Sequence, residues 1–140
     1  MTAITVKTDV RMIAFMVPSV PESVAVARFH IQASLRFHGL DEYTDEAGIV
    51  TSELVTNAVQ HVCEDRAKTI GVILARVREP DAVVITVTDD SPEGPVMREA
   101  ADGSESGRGL QIIEALSVHW GWNPEGDGKA IFAILAKDDA

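Results

Sequence analysis

Cysteine, positive charge and long apolar runs are all scarce in this chain of 140 residues. Cys63 is the single cysteine, so an intramolecular disulfide and a cysteine-based zinc site are both excluded. It reads as a small buried hydrophobe at a helix end, not as a nucleophile. Lys and Arg number 12 against 22 Asp and Glu, giving a net charge of −10. That balance disfavours DNA or RNA as a ligand, because such binding draws on neutralised backbone phosphates. A bound polyphosphate would need local help from a metal ion, a helix N-terminus or a few placed basic groups. The acidity suits a partner with a basic surface. No apolar stretch reaches the length of a membrane-spanning helix. The N-terminus alternates polar and apolar residues where a signal peptide would show a basic start and an apolar block, so a cytoplasmic protein is expected.

What is present is ordinary globular material. Hydrophobic residues make up 46% of the sequence, enough for one domain with a real core. Val10 to Val17 alternates and predicts a first strand. Ser19-Val20-Pro21-Glu22 has capping-box spacing, with proline near a helix start. The helix is expected to run to about His38, burying Val24, Ala27, Phe29, Ile31, Ala33, Leu35 and Phe37. Gly39 ends it in the left-handed conformation open to glycine. Asp41 to Asp45 places negative charge at the start of a second helix reaching about Val62.

Thr69 to Val77 and Ala82 to Thr88 read as two strands of an antiparallel hairpin, joined by Arg78-Glu79-Pro80-Asp81. Asp89 to Ser106 has no periodicity and reads as a long functional loop. A helix over Leu110 to Leu116, a strand over Val118 to Trp122, a turn over Pro124 to Gly128 and a strand over Ala130 to Ala136 complete the chain. Helices grouped on one face of a mixed, mostly antiparallel sheet give a two-layer α/β sandwich of a single domain, residues 1–140.

Three segments carry chemistry. In Thr51 to His61, Glu53, Asn57 and His61 stack along one side of a helix while Leu54, Val55, Ala58, Val59 and Val62 form an apolar face. A carboxylate one turn from a carboxamide can hold a hydrated divalent cation and activate a nucleophile, since hard cations such as Mg²⁺ take oxygen ligands. The competing reading is two polar residues facing water. Thr88-Asp89-Asp90-Ser91-Pro92 ends a strand, where an aspartate can accept a hydrogen bond from an amine on a flat ring, or merely form a turn. Ser106-Gly107-Arg108-Gly109-Leu110 opens a helix, where glycines and free N–H groups favour phosphate, or merely make a hinge and cap.

In this order, the three segments resemble those of the GHKL ATP-binding family, and within it the anti-sigma factor serine kinases and related small bacterial regulators. Glu-Leu-Val-Thr-Asn-Ala-Val-Gln-His looks like the N box, Asp89 like the aspartate of the first glycine box, and Gly107-Arg108-Gly109-Leu110 like the second glycine box. Trp120-Gly121-Trp122 through Ala133 is similar as well. The resemblance covers roughly Ala14 to Leu135. It implies ATP and Mg²⁺ as cofactors, with Asn57 on the metal and Glu53 as general base toward a protein serine or water. It implies Asp89 and Ser91 at the base and Gly107, Arg108, Gly109 and Leu110 around the phosphates. The loop from Asp90 to Ser106 would be the ATP lid. Partners implied are a sigma factor or an anti-anti-sigma protein, and a homodimer. Departures are Ser91 for a glycine, Gln60 for a basic residue, Glu105 for another, and Ala130 for a threonine that supports the adenine aspartate. Missing positive charge weakens transfer more than binding. The alternative function is therefore a nucleotide-sensing module that sequesters a partner without phosphotransfer.

Overall fold

A computed structural model describes residues 8–61, 68–78, 81–90 and 109–137. The elements run β1 (Thr8–Pro18), α1 (Ser23–Phe37), a 3₁₀ turn (Asp41–Tyr43), α2 (Thr44–His61), β2 (Thr69–Val77), β3 (Ala82–Asp89), α3 (Gly109–Leu116), β4 (His119–Glu125) and β5 (Gly128–Ala136). The five strands form one sheet in the order β1-β2-β3-β5-β4. Every pairing is antiparallel, so the expected mixed character is absent among the described residues. Helices α1 and α2 pack on each other, and α2 reaches β3, β5 and α3. This is the two-layer sandwich that the alternation of patterns predicts.

Strand alternation decides which residues meet the helices. In β3, Val83, Ile85 and Val87 are buried between sheet and helices while Val84, Thr86 and Thr88 are only half-buried on the opposite side. In β5, Ile131, Ala133 and Leu135 take the inward positions. From the helical layer come Ile31, Leu35, Val50, Leu54 and Ile113, all without solvent exposure. Each such side chain contributes about 1.5–3 kcal/mol through burial.

Helix α1 corrects two expectations. Its buried positions are Ser23, Ala27, Ile31 and Leu35, a strict four-residue spacing. Phe29 and Phe37 are instead 64% and 86% exposed. Alternating apolar residues cannot all face one side at 3.6 residues per turn, and the Ala27–Ile31–Leu35 row takes the core. The capping box does not form either: Glu22 makes no side-chain cap bond, and Ser19 Oγ has no hydrogen-bond partner among the described residues. Ser23 Oγ donates instead to the Pro18 carbonyl at 2.6 Å, fastening the first helical turn to the end of β1.

The other end of α1 behaves as read. Gly39 has φ +72°, Leu40 N–H donates to Leu35 O at 2.8 Å, and Gly39 N–H donates to Arg36 O at 3.1 Å. This is a Schellman motif, with Leu40 and Leu35 both buried beneath it. At the β4–β5 hairpin the strand extends to Glu125 and the turn shrinks to Gly126-Asp127, with Gly126 at φ +58°. Cys63 and most of the 90–106 loop lie outside the described residues.

Candidate nucleotide and metal site

Helix α2 supplies the first wall. Leu54, Val55 and Ala58 are fully buried, which fixes the rotation of the helix about its axis. Glu53 and Asn57 then lie one turn apart at the margin of the core, both half-buried. Asn57 Oδ1 is buried and accepts no hydrogen bond among the described residues. Buried carbonyl oxygens are normally bonded, so an orphan here marks a place for a donor or a cation. A carboxamide oxygen is a hard ligand of the kind Mg²⁺ accepts, so the residue fits the metal. No three His, Cys, Asp or Glu side chains converge anywhere among the described residues, this site included.

Glu53 points at α3. A β-carbon on Gly109, the first residue of that helix, would stand 2.9 Å from Glu53 Oε2. Removal from water pushes the Glu53 carboxyl above its ordinary value, which makes its ionised form a stronger base. Gly109 and Leu110 carry two of the unpaired N–H groups of a helix start. The Leu110 side chain is in the core, 2% exposed, so the backbone N–H is what it can offer to a ligand. Ser91, Gly107 and Arg108 lie outside the described residues.

Asp89 ends β3 and is directly opposite Lys129 of β5. The Lys129 ammonium lies 3.1 Å from Oδ1 and 3.0 Å from Oδ2 of Asp89. Both side chains are buried, the lysine completely. Next to them, a β-carbon on Gly128 would sit 1.8 Å from the Asp89 carbonyl oxygen, so the two strands close here only on glycine. The family resemblance assigns support of the aspartate to position 130. Ala130 pairs with Thr88 and shares its half-buried side of the sheet, and the support comes from Lys129. A signal for this existed: Lys129 continues the inward period of Ile131, Ala133 and Leu135.

Arg28 joins the site with no local signal in the sequence to mark it. A groove of about 450 Å³ runs between α1 and α2, lined by Arg28, Gln32, Asp45, Gly48, Ile49, Ser52 and Glu53. Arg28 Nη1 donates to Ser52 Oγ at 3.2 Å, and Ser52 Oγ donates to Gly48 O at 2.8 Å. The groove thus brings a guanidinium to the neighbour of Glu53, whereas Gln60 is exposed on α2. Trp120 packs on the core, whereas Trp122 is 39% exposed.

Helix α2 packs against α3, which Gly109 begins, and against β3, which Asp89 ends. A family model described as histidine kinase-like ATPase domain matches residues 17–134. The crystal structure of the RsbU and RsbW domains of Rv1364c from Mycobacterium tuberculosis is similar, with a TM-score of 0.61 and 17% identity. The likeness covers 89% of this chain and 32% of that one, so this chain spans about a third of its length. At that identity the likeness establishes the fold. The comparison with curated proteins gives no match.

Proposed function

Because the chain belongs to the histidine kinase-like ATPase domain family, we propose that it binds Mg·ATP around α2 and transfers phosphate to a protein serine as an anti-sigma type regulator. The observation that carries this reading is the orphaned, buried Asn57 Oδ1 one helical turn from a desolvated Glu53 carboxylate.

Each residue has a role that follows from its position. Asn57 would hold Mg²⁺, which when bound neutralises phosphate charge in the transition state. Glu53 takes the proton of the attacking hydroxyl, and its partial burial makes it a better base than an exposed carboxylate. Asp89 accepts a hydrogen bond from the exocyclic amine of the base. Gly109 and Leu110, with Gly107 and Arg108 before them, present N–H groups and charge to the phosphates. The groove between α1 and α2 gives an acceptor segment a route to Glu53, with Arg28 on its wall. The partner in this reading is a sigma factor or an anti-anti-sigma protein, and the neighbouring Rv1364c structure contains an RsbW domain by its own description.

A second reading, a nucleotide-sensing module that sequesters its partner without transfer, is favoured by one observation. Gln60, one turn along from Thr56 and Asn57, is exposed and uncharged, and the Arg28 guanidinium donates to Ser52.

Calorimetry with ATP and ADP in the presence of Mg²⁺ tests both. The expected result is binding that Asp89→Asn weakens by about ten- to a hundredfold, the scale of a charge-assisted hydrogen bond. Absence of binding to the unmodified chain overturns both readings. Transfer of ³²P to a candidate partner, lost in Glu53→Ala, separates the first from the second.

A further inference from the structure

Arg28 is exposed, and its charge has no carboxylate partner among the described residues. Its contact with the chain is through Nη1, which donates to Ser52 Oγ at 3.2 Å. A guanidinium has five N–H donors in a planar fork that matches a carboxylate. One exposed bond to a hydroxyl therefore leaves most of that capacity, and all of the charge, open to a ligand in the groove. The placement of this charge is selective. The whole chain has a net charge of −10, yet α1 carries Arg28 and Arg36 and no aspartate or glutamate. A partner meeting α1 faces positive charge, the reverse of what the overall composition suggests.

The groove has two distinct ends. Gln32 Nε2 donates to Thr44 O at 2.9 Å and marks the end where α2 begins, beside Asp45. Arg28, Ser52 and Glu53 form the other end. Asp45 lies more than two turns before Glu53, about 12 Å along the helix axis, so it does not share the Arg28 end. Arg28 approaches α2 from the α1 side at Ser52, whereas Glu53 meets the start of α3 at Gly109. The cation thus stands on the side from which an acceptor segment enters, away from the helix start that serves the phosphates. Ser52 and Glu53 are successive residues, so their side chains leave the helix about 100° apart, about 8 Å across its surface. Extended chain spans that distance in roughly two or three residues.

We propose that Arg28 selects the acceptor by pairing with a carboxylate two or three residues from the serine that Glu53 serves. This rests on the phosphotransfer reading and adds to it the class of acceptor, an acidic serine segment. In that transfer the serine Oγ bonds the γ-phosphorus, the bond from that phosphorus to the departing ADP oxygen breaks, and the serine proton goes to Glu53. Arg28 touches none of these atoms; it is a specificity residue.

The test uses the intact chain, [γ-³²P]ATP with Mg²⁺, and synthetic serine peptides that differ only in carrying Glu, Gln or Lys at the second and third positions on either side of the serine. At one of these positions Glu should exceed Lys by about fivefold in kcat/KM, the upper range of an exposed ion pair. Arg28→Glu should reverse the order at that same position, and Arg28→Gln should level it. A merely structural Arg28 would move all peptides together. Equal transfer to all peptides by the unmodified chain overturns the inference while the phosphotransfer reading stands. A preference for Glu that survives Arg28→Glu assigns it to another group and overturns the inference as well. Should Arg28→Glu not fold, the response of Arg28→Gln decides in its place. Absence of transfer to every peptide overturns the phosphotransfer reading itself, a result distinct from either.

Discussion

Glu53 and Gly109 are packed so closely that a methyl group fits between them only if the Glu53 carboxylate moves: a β-carbon on Gly109 would lie 2.9 Å from Glu53 Oε2. The obstacle is the far end of a flexible side chain, which can swing aside. Gly109→Ala should therefore leave thermal stability unchanged or raise it slightly, since alanine is favoured over glycine in a helix by about 0.5–1 kcal/mol. Phosphotransfer should fall, because the carboxylate loses its position. Differential scanning calorimetry beside a transfer assay reads the two effects separately, and a large drop in Tm would contradict this packing.

The raised Glu53 pKa sets the sign of a pH effect. The folded chain holds this proton more tightly than the unfolded chain does. Between the ordinary carboxylate pKa and the raised one, the folded state binds more protons, so this residue's contribution to stability declines as pH rises. Glu53→Gln removes that decline. Urea unfolding of both chains across pH 4 to 8 should show the variant gaining on the parent as pH increases, with the difference level at the top of the range. A constant difference throughout would place Glu53 in water.

Asn57→Ala should cost Mg²⁺-dependent affinity and little else. ATP binding measured with Mg²⁺ should weaken by about tenfold, the value of one good ligand contact. In EDTA, parent and variant should bind alike. A loss of the same size with and without the metal would mean that Asn57 touches the nucleotide directly.

Helix α1 offers a paired stability test. Leu35 is fully buried, whereas Phe37 is 86% exposed. Leu35→Ala should cost about 2–5 kcal/mol through lost burial and a cavity. Phe37→Ser should cost far less, below about 1 kcal/mol, because the ring stands in water and loses only an exposed edge-on contact with His38. Urea titrations of the two variants check the assignment of faces.

Elements whose boundaries rest on local chemistry were readable from sequence. Gly39 followed by Leu40 specifies a helix end by itself, and the observed Schellman bonds match it. The Glu53/Asn57 spacing on an amphipathic helix likewise needs no tertiary information. Phe29 and Phe37 cannot be placed from sequence because both faces of α1 contain large apolar residues, and only the sheet beneath selects one of them. Lys129 is not legible in sequence because a lysine in a strand suggests solvent. Its partner lies 40 residues away and becomes visible only when the β3–β5 register is known. Arg28 reaches the groove for the same reason: the α1–α2 packing, not the local pattern, carries it there.

Gly128 touches no ligand in any reading of this site, yet its backbone is pressed against Asp89. Any side chain at that position must push the β3 end away from β5, and the aspartate travels with it. A genetic screen for lost nucleotide response would therefore return position 128 beside position 89. Its chemistry would suggest a bystander, while its phenotype would be that of a contact residue.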